Sequence, residues 1–300
     1  MRIRRTSAAL LAVVALAATA ACGKSGSPNA GSSDTGTAKA AAYPVKTDAK
    51  LDGSPTVAAA KKRGKLIIGA KSDQPFLGFE DVAAGTRTGF DIEIAKMVAA
   101  DLGFSESQIE FKTIDSANRE TALAGGQIDY YVGTYSINDK RKTQVSFAGP
   151  YYIAGQDLLV RQDNTDITGP DAVKGKKVCT ATGSTSVDKI KTYGADVSTF
   201  GNYSNCVDKL LSKDIDAVTT DDAILKGYAA KNEGQLKVVG KPFSTEKYGV
   251  GLNKDDKVLR DAINDALKAH EDNGDWKKAY DATLAKSGSA APQPPALERY

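Results

Sequence analysis

The sequence predicts an α/β fold of two similar lobes, each built on a mainly parallel sheet. Short apolar runs of strand length alternate with amphipathic helical segments, which is the pattern of βαβ units. The chain also repeats itself: residues 64–73 resemble 175–184, and residues 123–134 resemble 210–220, with an Ile-Asp pair aligned in both copies. Since each copy holds an early strand and a later helix, turn and strand, the repeat predicts one lobe per copy.

In the first copy, four segments follow one another along the chain. Residues 65–70 form a continuous apolar run of the kind buried in a parallel sheet. Residues 89–103 carry an apolar helical face and stop at a glycine, and residues 109–114 alternate as a strand. Residues 116–133 then predict a short helix, a Gly-Gly turn and a further strand.

The first 21 residues have the composition of an export signal. Three arginines precede an Ala-rich apolar stretch that is too short to span a bilayer. Small residues then lead into Cys22, as at a bacterial lipoprotein cleavage site, where the thiol is lipidated. We therefore predict a protein anchored to the outer face of the cell membrane through Cys22, with ordinary secretion as the alternative.

The expected domain limits follow from composition and from the repeat. Residues 22–57 are rich in Gly, Ser, Ala and Thr and predict a flexible tether, and residues 286–300 predict a disordered tail. Between them we expect lobe 1 over 58–155 and 247–285, and lobe 2 over 156–246. Loss of the signal removes three arginines and no acidic residue, which lowers the formal charge from +3 to zero and argues against a nucleic-acid partner.

Polar segments follow the four strands that the repeat relates. They are residues 71–73, 134–141, 182–186 and 221–222. In open parallel sheets, ligands bind outside the carboxyl ends of the strands. Two facing lobes would bring these segments together across a cleft, which predicts a binding site there.

Two cysteines lie in the expected second lobe. Cys179 falls in a predicted strand and Cys206 at the start of a predicted helix. An exported domain can form a disulfide between them, and two buried free thiols are the alternative.

Six motifs carry a family resemblance. They cover residues 89–95, 126–141, 147–152, 183–186, 215–221 and 248–251. Together they resemble the family-three solute-binding proteins of ABC importers for polar amino acids, and in particular the glutamate-binding lipoproteins. The resemblance implies a type II periplasmic-binding-protein fold, in which two lobes joined by a two-strand hinge close on one amino acid. It also implies a monomer without a cofactor that delivers its ligand to membrane permease subunits.

The resemblance assigns roles to the main chain of an amino-acid ligand. Arg141 matches the arginine that grips the α-carboxylate, with help from the hydroxyls and backbone donors of Thr134 and Ser136. Asp221 matches the carboxylate that takes the α-ammonium group, and Thr185 matches a contact from the second lobe. The alternatives are a solvated Arg141 and an Asp221 that only caps a helix. In the same loop as Thr185, Thr182 is a further candidate.

A departure from the family pattern predicts the ligand side chain. Where relatives usually place an aromatic ring, this chain has Ser116, followed by Arg119. A Ser-x-x-Arg element resembles the binders of acidic amino acids, so Arg119 is the candidate for a γ-carboxylate, with Lys71 assisting. Glutamate is the expected ligand. If Arg119 is only a solvated helix residue, glutamine or asparagine becomes equally acceptable, and aspartate is a further alternative.

Catalysis is the competing interpretation, since dehydratases acting on cyclohexadienyl acids share this architecture. The only histidine, His270, falls in a late amphipathic helix at an expected surface position, which leaves no Ser-His-Asp triad. The sequence also lacks Cys/His clusters and calcium-loop spacing. We therefore predict a binding protein without catalytic residues, metal or cofactor; a sensory or scaffold lipoprotein on the same fold stays open.

Overall fold

The computed structural model describes residues 43–49 and 51–300. The predicted signal peptide, Cys22 and most of the predicted tether therefore lie outside the described residues. The tether residues that are described lie against the folded part: the Tyr43 hydroxyl donates to Glu93 Oε2 at 2.8 Å, and Leu51 is buried. The first helix begins at Pro55, three residues before the fold was expected to start.

Nine helices and thirteen strands make up the described part of the chain. The helices are α1 Pro55–Arg63, α2 Phe90–Asp101, α3 Arg119–Ala124, α4 Asp139–Lys142, α5 Ser186–Lys191, α6 Tyr203–Leu211, α7 Asp222–Lys231, α8 Lys257–Asp272 and α9 Asp275–Ala282. The strands are β1 Leu66–Ala70, β2 Asp73–Gln74, β3 Gly78–Asp81, β4 Thr86–Thr88, β5 Ile109–Thr113, β6 Tyr130–Tyr131, β7 Val145–Ala154, β8 Gln156–Arg161, β9 Lys177–Ala181, β10 Asp196–Phe200, β11 Ala217–Asp221, β12 Leu236–Val239 and β13 Glu246–Asn253. Short 3-10 turns occupy Glu106–Gln108, Ser116–Asn118, Pro170–Val173 and Leu284–Ser287.

Two five-stranded sheets confirm the predicted α/β fold of two similar lobes. The sheet of lobe 1 has the order β5-β1-β6-β13-β7, and the sheet of lobe 2 has the order β10-β9-β11-β8-β12. In each sheet the first three strands are parallel to one another. Each of the last two strands is antiparallel to the strand before it in that order. The sheets are thus mixed, and the parallel part of each is the part on which the sequence repeat falls.

The sequence repeat corresponds to a repeated contact. In lobe 1, Asp129 of the first Ile-Asp pair accepts the backbone N–H of Ile67 at 2.7 Å. In lobe 2, Asp216 of the second pair accepts the backbone N–H of Lys177 at 2.8 Å. Each aspartate therefore satisfies a backbone donor near the start of the central parallel strand, and the two lobes use the same device to hold adjacent strands in register.

The chain crosses between the two sheets twice. The first crossing is at Gly155, between β7 and β8, and the second runs through residues 240–245, between β12 and β13. The backbones of the crossings touch, because the N–H of Phe243 donates to the carbonyl of Gln156 at 2.8 Å. A pair of adjacent extended segments of this kind is the usual site of hinge bending.

The end of the chain lies against lobe 1. Residues 286–300 were expected to form a disordered tail, and the structure places the last of them against the edge strand β7. The N–H of Glu298 donates to the carbonyl of Gly149 at 2.8 Å, and the Tyr300 hydroxyl accepts the N–H of Phe147 at 2.9 Å. The ring of Tyr300 lies 4.5 Å from Lys142 Nζ and 4.4 Å from the guanidinium of Arg260.

A disulfide joins two elements of lobe 2. Cys179 on β9 and Cys206 on α6 are bonded, with 5.5 Å between their Cα atoms, and both side chains are buried. The bond fixes α6 to β9, the middle strand of the parallel part of the sheet. Over the described residues, no helix combines the length and the apolar character that crossing a membrane would need.

Candidate functional site

The polar segments that follow the strands meet between the lobes and line a small space that is partly open to solvent. Its lining consists of Ser116, Arg119, Thr134, Ser136, Arg141, Ser184, Thr185, Tyr203, Asp221 and Ile224. Seven of the nine sequence-predicted ligand residues are in this set. Lys71 does not line the space but contacts one of its residues, Ser116, and Thr182 lines a wider cleft that adjoins it.

Arg141 is buried on the lobe 1 side of the space. Its helix, α4, is capped by Asn138, whose side chain accepts the N–H of Arg141. The guanidinium donates to the carbonyls of Ser136 at 2.7 Å and Gly183 at 3.0 Å and lies 3.3 Å from a carboxylate oxygen of Glu120. Burial, with the neighbouring charge of Arg119, lowers the pKa of Arg141 to about 10. The alternative of a solvated arginine is therefore wrong.

Arg119 is also buried, and all of its hydrogen bonds go to backbone carbonyls. Its three nitrogens donate to Ser116 at 3.0 Å, Thr134 at 3.4 Å and Gly183 at 3.2 Å. Among the described residues, no carboxylate lies within ion-pair distance of it. The alternative of a solvated helix residue is wrong here too, because the guanidinium is buried beside the space.

Lys71 adds a second buried cation at the same end of the space. Its ammonium donates to the Ser116 hydroxyl at 2.8 Å. Burial, together with the charge of Arg119, lowers the pKa of Lys71 to about 7. Lys71 therefore loses its charge readily unless an anion is placed nearby.

Asp221 faces the space from lobe 2, at the end of β11. One carboxylate oxygen accepts the Tyr248 hydroxyl at 2.6 Å, and the other is buried and has no hydrogen-bond partner among the described residues. Burial, with the nearby charge of Glu246, raises the pKa of Asp221 to about 7. Asp221 holds the N-cap position of α7, but its side chain makes no capping hydrogen bond, so the helix-cap alternative is wrong.

The hydrogen bonds of Thr134 differ from those expected from the sequence. Its backbone N–H, expected to serve the ligand, donates to the buried carboxylate of Asp91 at 3.1 Å, and its hydroxyl pairs with the side chain of Gln74 at 3.2 Å. Thr134 has a φ of 47°, so these contacts hold it in the left-handed region. Asp91 and Gln74 were not predicted as site residues; an acidic residue inside an otherwise apolar helix face is the signal that points to Asp91.

Thr185 shares its hydroxyl with a residue that sequence reasoning missed. It donates to Glu246 at 3.0 Å, at the first residue of β13 and next to the hinge crossing. Glu246 is buried, and no local pattern in the sequence marks it, since its partners lie far away along the chain. Ser136 reaches the same strand by a bridge to Tyr248.

The two lobes touch on both sides of the space. At one side, Gly183 accepts from both arginines and adopts a φ of 79°; a Cβ atom there would lie 2.6 Å from the Cα of Ala117 in lobe 1. Only glycine allows this approach. At the other side, a carboxylate oxygen of Asp73 in lobe 1 accepts the first two N–H groups of α6, at 2.9 and 3.1 Å, and the Tyr228 hydroxyl at 3.0 Å.

His270 lies far from these residues in the fold and is not on the surface as expected. It is buried on α8, where its ring nitrogens face Asp275 at 3.0 Å and Asp101 at 3.6 Å. These contacts, set against burial, raise its pKa. The histidine is a packing residue of lobe 1.

The comparisons with known proteins agree with this arrangement. Residues 66–285 match the model of the bacterial extracellular solute-binding proteins, family 3. The glutamate-binding protein GluB of Corynebacterium efficiens is 38% identical over 247 residues, which cover 78% of this chain and 84% of GluB. The glutamine-binding protein GlnH of Bacillus subtilis is 36% identical over 276 residues, which cover 91% of this chain and 94% of GlnH.

A solved structure also shares the fold. The ancestral amino-acid-binding protein AncCDT-1, a precursor of cyclohexadienyl dehydratase, superposes with a TM-score of 0.70 at 31% identity and covers 77% of this chain and 99% of its own. From the match over residues 66–285 and the shared two-lobed fold, the chain belongs to family 3 of the bacterial extracellular solute-binding proteins.

Proposed function

We propose that this protein is the amino-acid receptor of an ABC importer and that its ligand is glutamate, which it binds between the closing lobes and delivers to membrane permease subunits. In this proposal the protein acts as a monomer, without chemistry on its ligand, and is held at the outer face of the membrane through lipidated Cys22.

The observation that carries the choice of glutamate is the pair of buried cations, Arg119 and Lys71. Neither has a carboxylate partner within ion-pair distance among the described residues. A buried charge without a partner is costly, and a carboxylate brought by the ligand would compensate it. The Ser116 hydroxyl accepts from Lys71, which leaves its own proton to donate to the same carboxylate.

The part of the space between Arg141 and Asp221 suits the main chain of an amino acid. Arg141 supplies a fixed cation for the α-carboxylate, and Asp221 supplies a carboxylate with one free buried oxygen for the α-ammonium group. The two residues come from different lobes, so a zwitterion that contacts both favours the closed arrangement of the lobes. Glutamine would satisfy this part equally well and would leave Arg119 and Lys71 without an anion.

The names of the relatives do not decide between the two ligands. GluB is described as glutamate-binding and GlnH as glutamine-binding, at nearly the same identity to this chain. The proposal for glutamate therefore depends on the two unpaired cations.

Calorimetric titration of the protein from residue 22 onward tests the proposal, with glutamate, aspartate, glutamine and arginine as ligands. We expect tight binding of glutamate and recovery of the ligand unchanged. Arg141→Met should abolish binding of every amino acid, whereas Arg119→Met should reduce the preference for glutamate over glutamine by roughly 100-fold, since hydrogen bonds to charged groups are worth about 1.5–3 kcal/mol each.

A matched control is Arg299→Met, which removes an arginine that pairs with Asp265 on α8, outside the site. It should leave both affinities unchanged. A wild-type preference for glutamine would contradict the assignment of Arg119, and turnover of a cyclohexadienyl acid would favour the enzyme alternative. For the anchor, Cys22→Ser should move the protein from the membrane fraction into the medium.

A further inference from the structure

Tyr135 lies beside both arginines of the site. The guanidinium carbon of Arg119 is 4.2 Å from the centre of its ring, and that of Arg141 is 5.0 Å away. The residue is fully buried and stands between Thr134 and Ser136 on the loop that follows β6.

The backbone on either side of Tyr135 contacts the same two side chains. The carbonyl of Thr134 accepts from Arg119 at 3.4 Å, and the carbonyl of Ser136 accepts from Arg141 at 2.7 Å. One tripeptide therefore holds both guanidinium groups, by a carbonyl at each end and by the aromatic ring in the middle.

The ring of Tyr135 offsets the repulsion between the two arginines of the site. Two buried guanidinium groups close together repel one another, and the charge of Arg119 contributes to the lowered pKa of Arg141. Glu120 lies 3.3 Å from Arg141 and offsets part of its charge, whereas no carboxylate among the described residues lies within ion-pair distance of Arg119. The face of an aromatic ring attracts cations through its quadrupole and leaves their net charge unchanged.

The surrounding residues hold the ring in place. Tyr131 packs edge-on against it at 5.4 Å, and Phe147 packs at 4.8 Å. Behind it is Gly251 on β13, where a Cβ atom would lie 2.7 Å from a ring carbon, so a larger residue there would displace the ring. The position of the ring is thus determined by the core of lobe 1 and not by the ligand.

We propose that Tyr135 is a positioning residue that holds Arg119 and Arg141 side by side without neutralising either charge. The inference rests on the proposed function, in which these arginines bind the two carboxylates of one amino acid. It assigns to Tyr135 a share of the affinity although the ring need not touch the ligand.

Three variants test the proposal by titration with glutamate and glutamine. Tyr135→Leu should weaken glutamate binding by roughly 30-fold or more, because desolvated cation–π contacts are worth about 2 kcal/mol. Tyr135→Phe keeps the ring face and should stay within about threefold of the parent. Phe147→Leu is the matched control. It removes an aromatic ring of the same cluster that makes no cation–π contact with either arginine, and its affinity should also stay within about threefold of the parent.

A spectroscopic readout separates positioning from stability. The Nε–H signals of Arg119 and Arg141 should be sharp and slowly exchanging in the unliganded parent and in Tyr135→Phe, and should broaden or vanish in Tyr135→Leu. Equal affinities of Tyr135→Leu and Phe147→Leu, or unchanged arginine signals in Tyr135→Leu, would overturn the inference.

The outcome for Arg141→Met distinguishes the two levels of the argument. If that variant abolishes binding while Tyr135→Leu behaves like the control, the proposed function stands and the role of Tyr135 is wrong. If Arg141→Met binds normally, the proposed function itself fails.

Discussion

Glutamate affinity should be greatest near pH 7 and should fall on both sides of it. The reason lies in two oppositely charged residues of the site whose pKa values meet there. Burial and Glu246 raise the pKa of Asp221 to about 7, and burial and Arg119 lower the pKa of Lys71 to about 7.

The sign of each limb follows from the charge that the ligand needs. The ligand ammonium group needs ionised Asp221, so binding lowers the pKa of Asp221 and releases a proton, and affinity falls as the pH drops below 7. A ligand side-chain carboxylate needs protonated Lys71, so binding raises the pKa of Lys71 and takes up a proton, and affinity falls as the pH rises above 7.

The size of the alkaline effect follows from the shift of Lys71. If bound carboxylate restores its ordinary pKa of about 10.4, the loss of charge on Lys71 alone should raise the dissociation constant for glutamate roughly 16-fold between pH 7.0 and 8.5. The ionisation of Asp221 over the same interval offsets about twofold of this, so the net rise should be roughly eightfold. Calorimetric titration at half-unit intervals from pH 5.5 to 8.5 measures this, and buffers of different ionisation enthalpy count the protons exchanged.

Glutamine provides the matched control. It has the same ammonium group and no second carboxylate, so it should show the acidic limb and lack the alkaline limb. In Lys71→Met the alkaline limb for glutamate should disappear while the acidic limb remains. A flat glutamate affinity between pH 7.0 and 8.5, or an equal alkaline loss for glutamine, would refute the reasoning.

Three further predictions concern closure and stability. Asp73→Asn weakens the contact that ties lobe 1 to α6, so every amino acid that binds should dissociate roughly tenfold faster in stopped-flow fluorescence. Gly183→Ala should weaken all ligands at least about tenfold by titration, because its Cβ would meet Ala117 and a left-handed φ costs about 1–2 kcal/mol. Replacing Cys179 and Cys206 by serine should lower the free energy of unfolding by about 3.5 kcal/mol in urea, from the chain entropy of a 27-residue separation.

Each of these predictions has a control or an outcome that contradicts it. Asp81→Asn alters an exposed carboxylate of the β3–β4 hairpin and should leave dissociation unchanged. For Gly183→Ala, scattering that shows full compaction on adding ligand would contradict the steric argument. For the Cys179–Cys206 bond, the parent protein can be unfolded, reduced and its denaturation midpoint measured again. A midpoint equal to that of the oxidised parent would contradict the assigned role of the bond.

The order of local elements could be predicted from the sequence. Apolar runs, helical periodicity and turn glycines depend on neighbours within a few residues, and they correctly indicated two similar α/β lobes. The aligned Ile-Asp pairs went further, because Asp129 and Asp216 do make matching contacts in the two sheets. The rule that ligands bind at strand ends then collected most of the residues that line the central space, although their roles toward a ligand stay predictions.

Only the tertiary structure decided how those residues pair, and whether they are charged. Glu246 meets Thr185 across 61 positions of sequence, and Asp73 meets Tyr228 across 155. No local pattern encodes such contacts, because they exist only when the lobes face one another. Burial depends on the same packing, and it shifts the pKa values of Lys71 and Asp221 to about 7. The same packing places Arg119 beside an aromatic ring, with no carboxylate partner among the described residues.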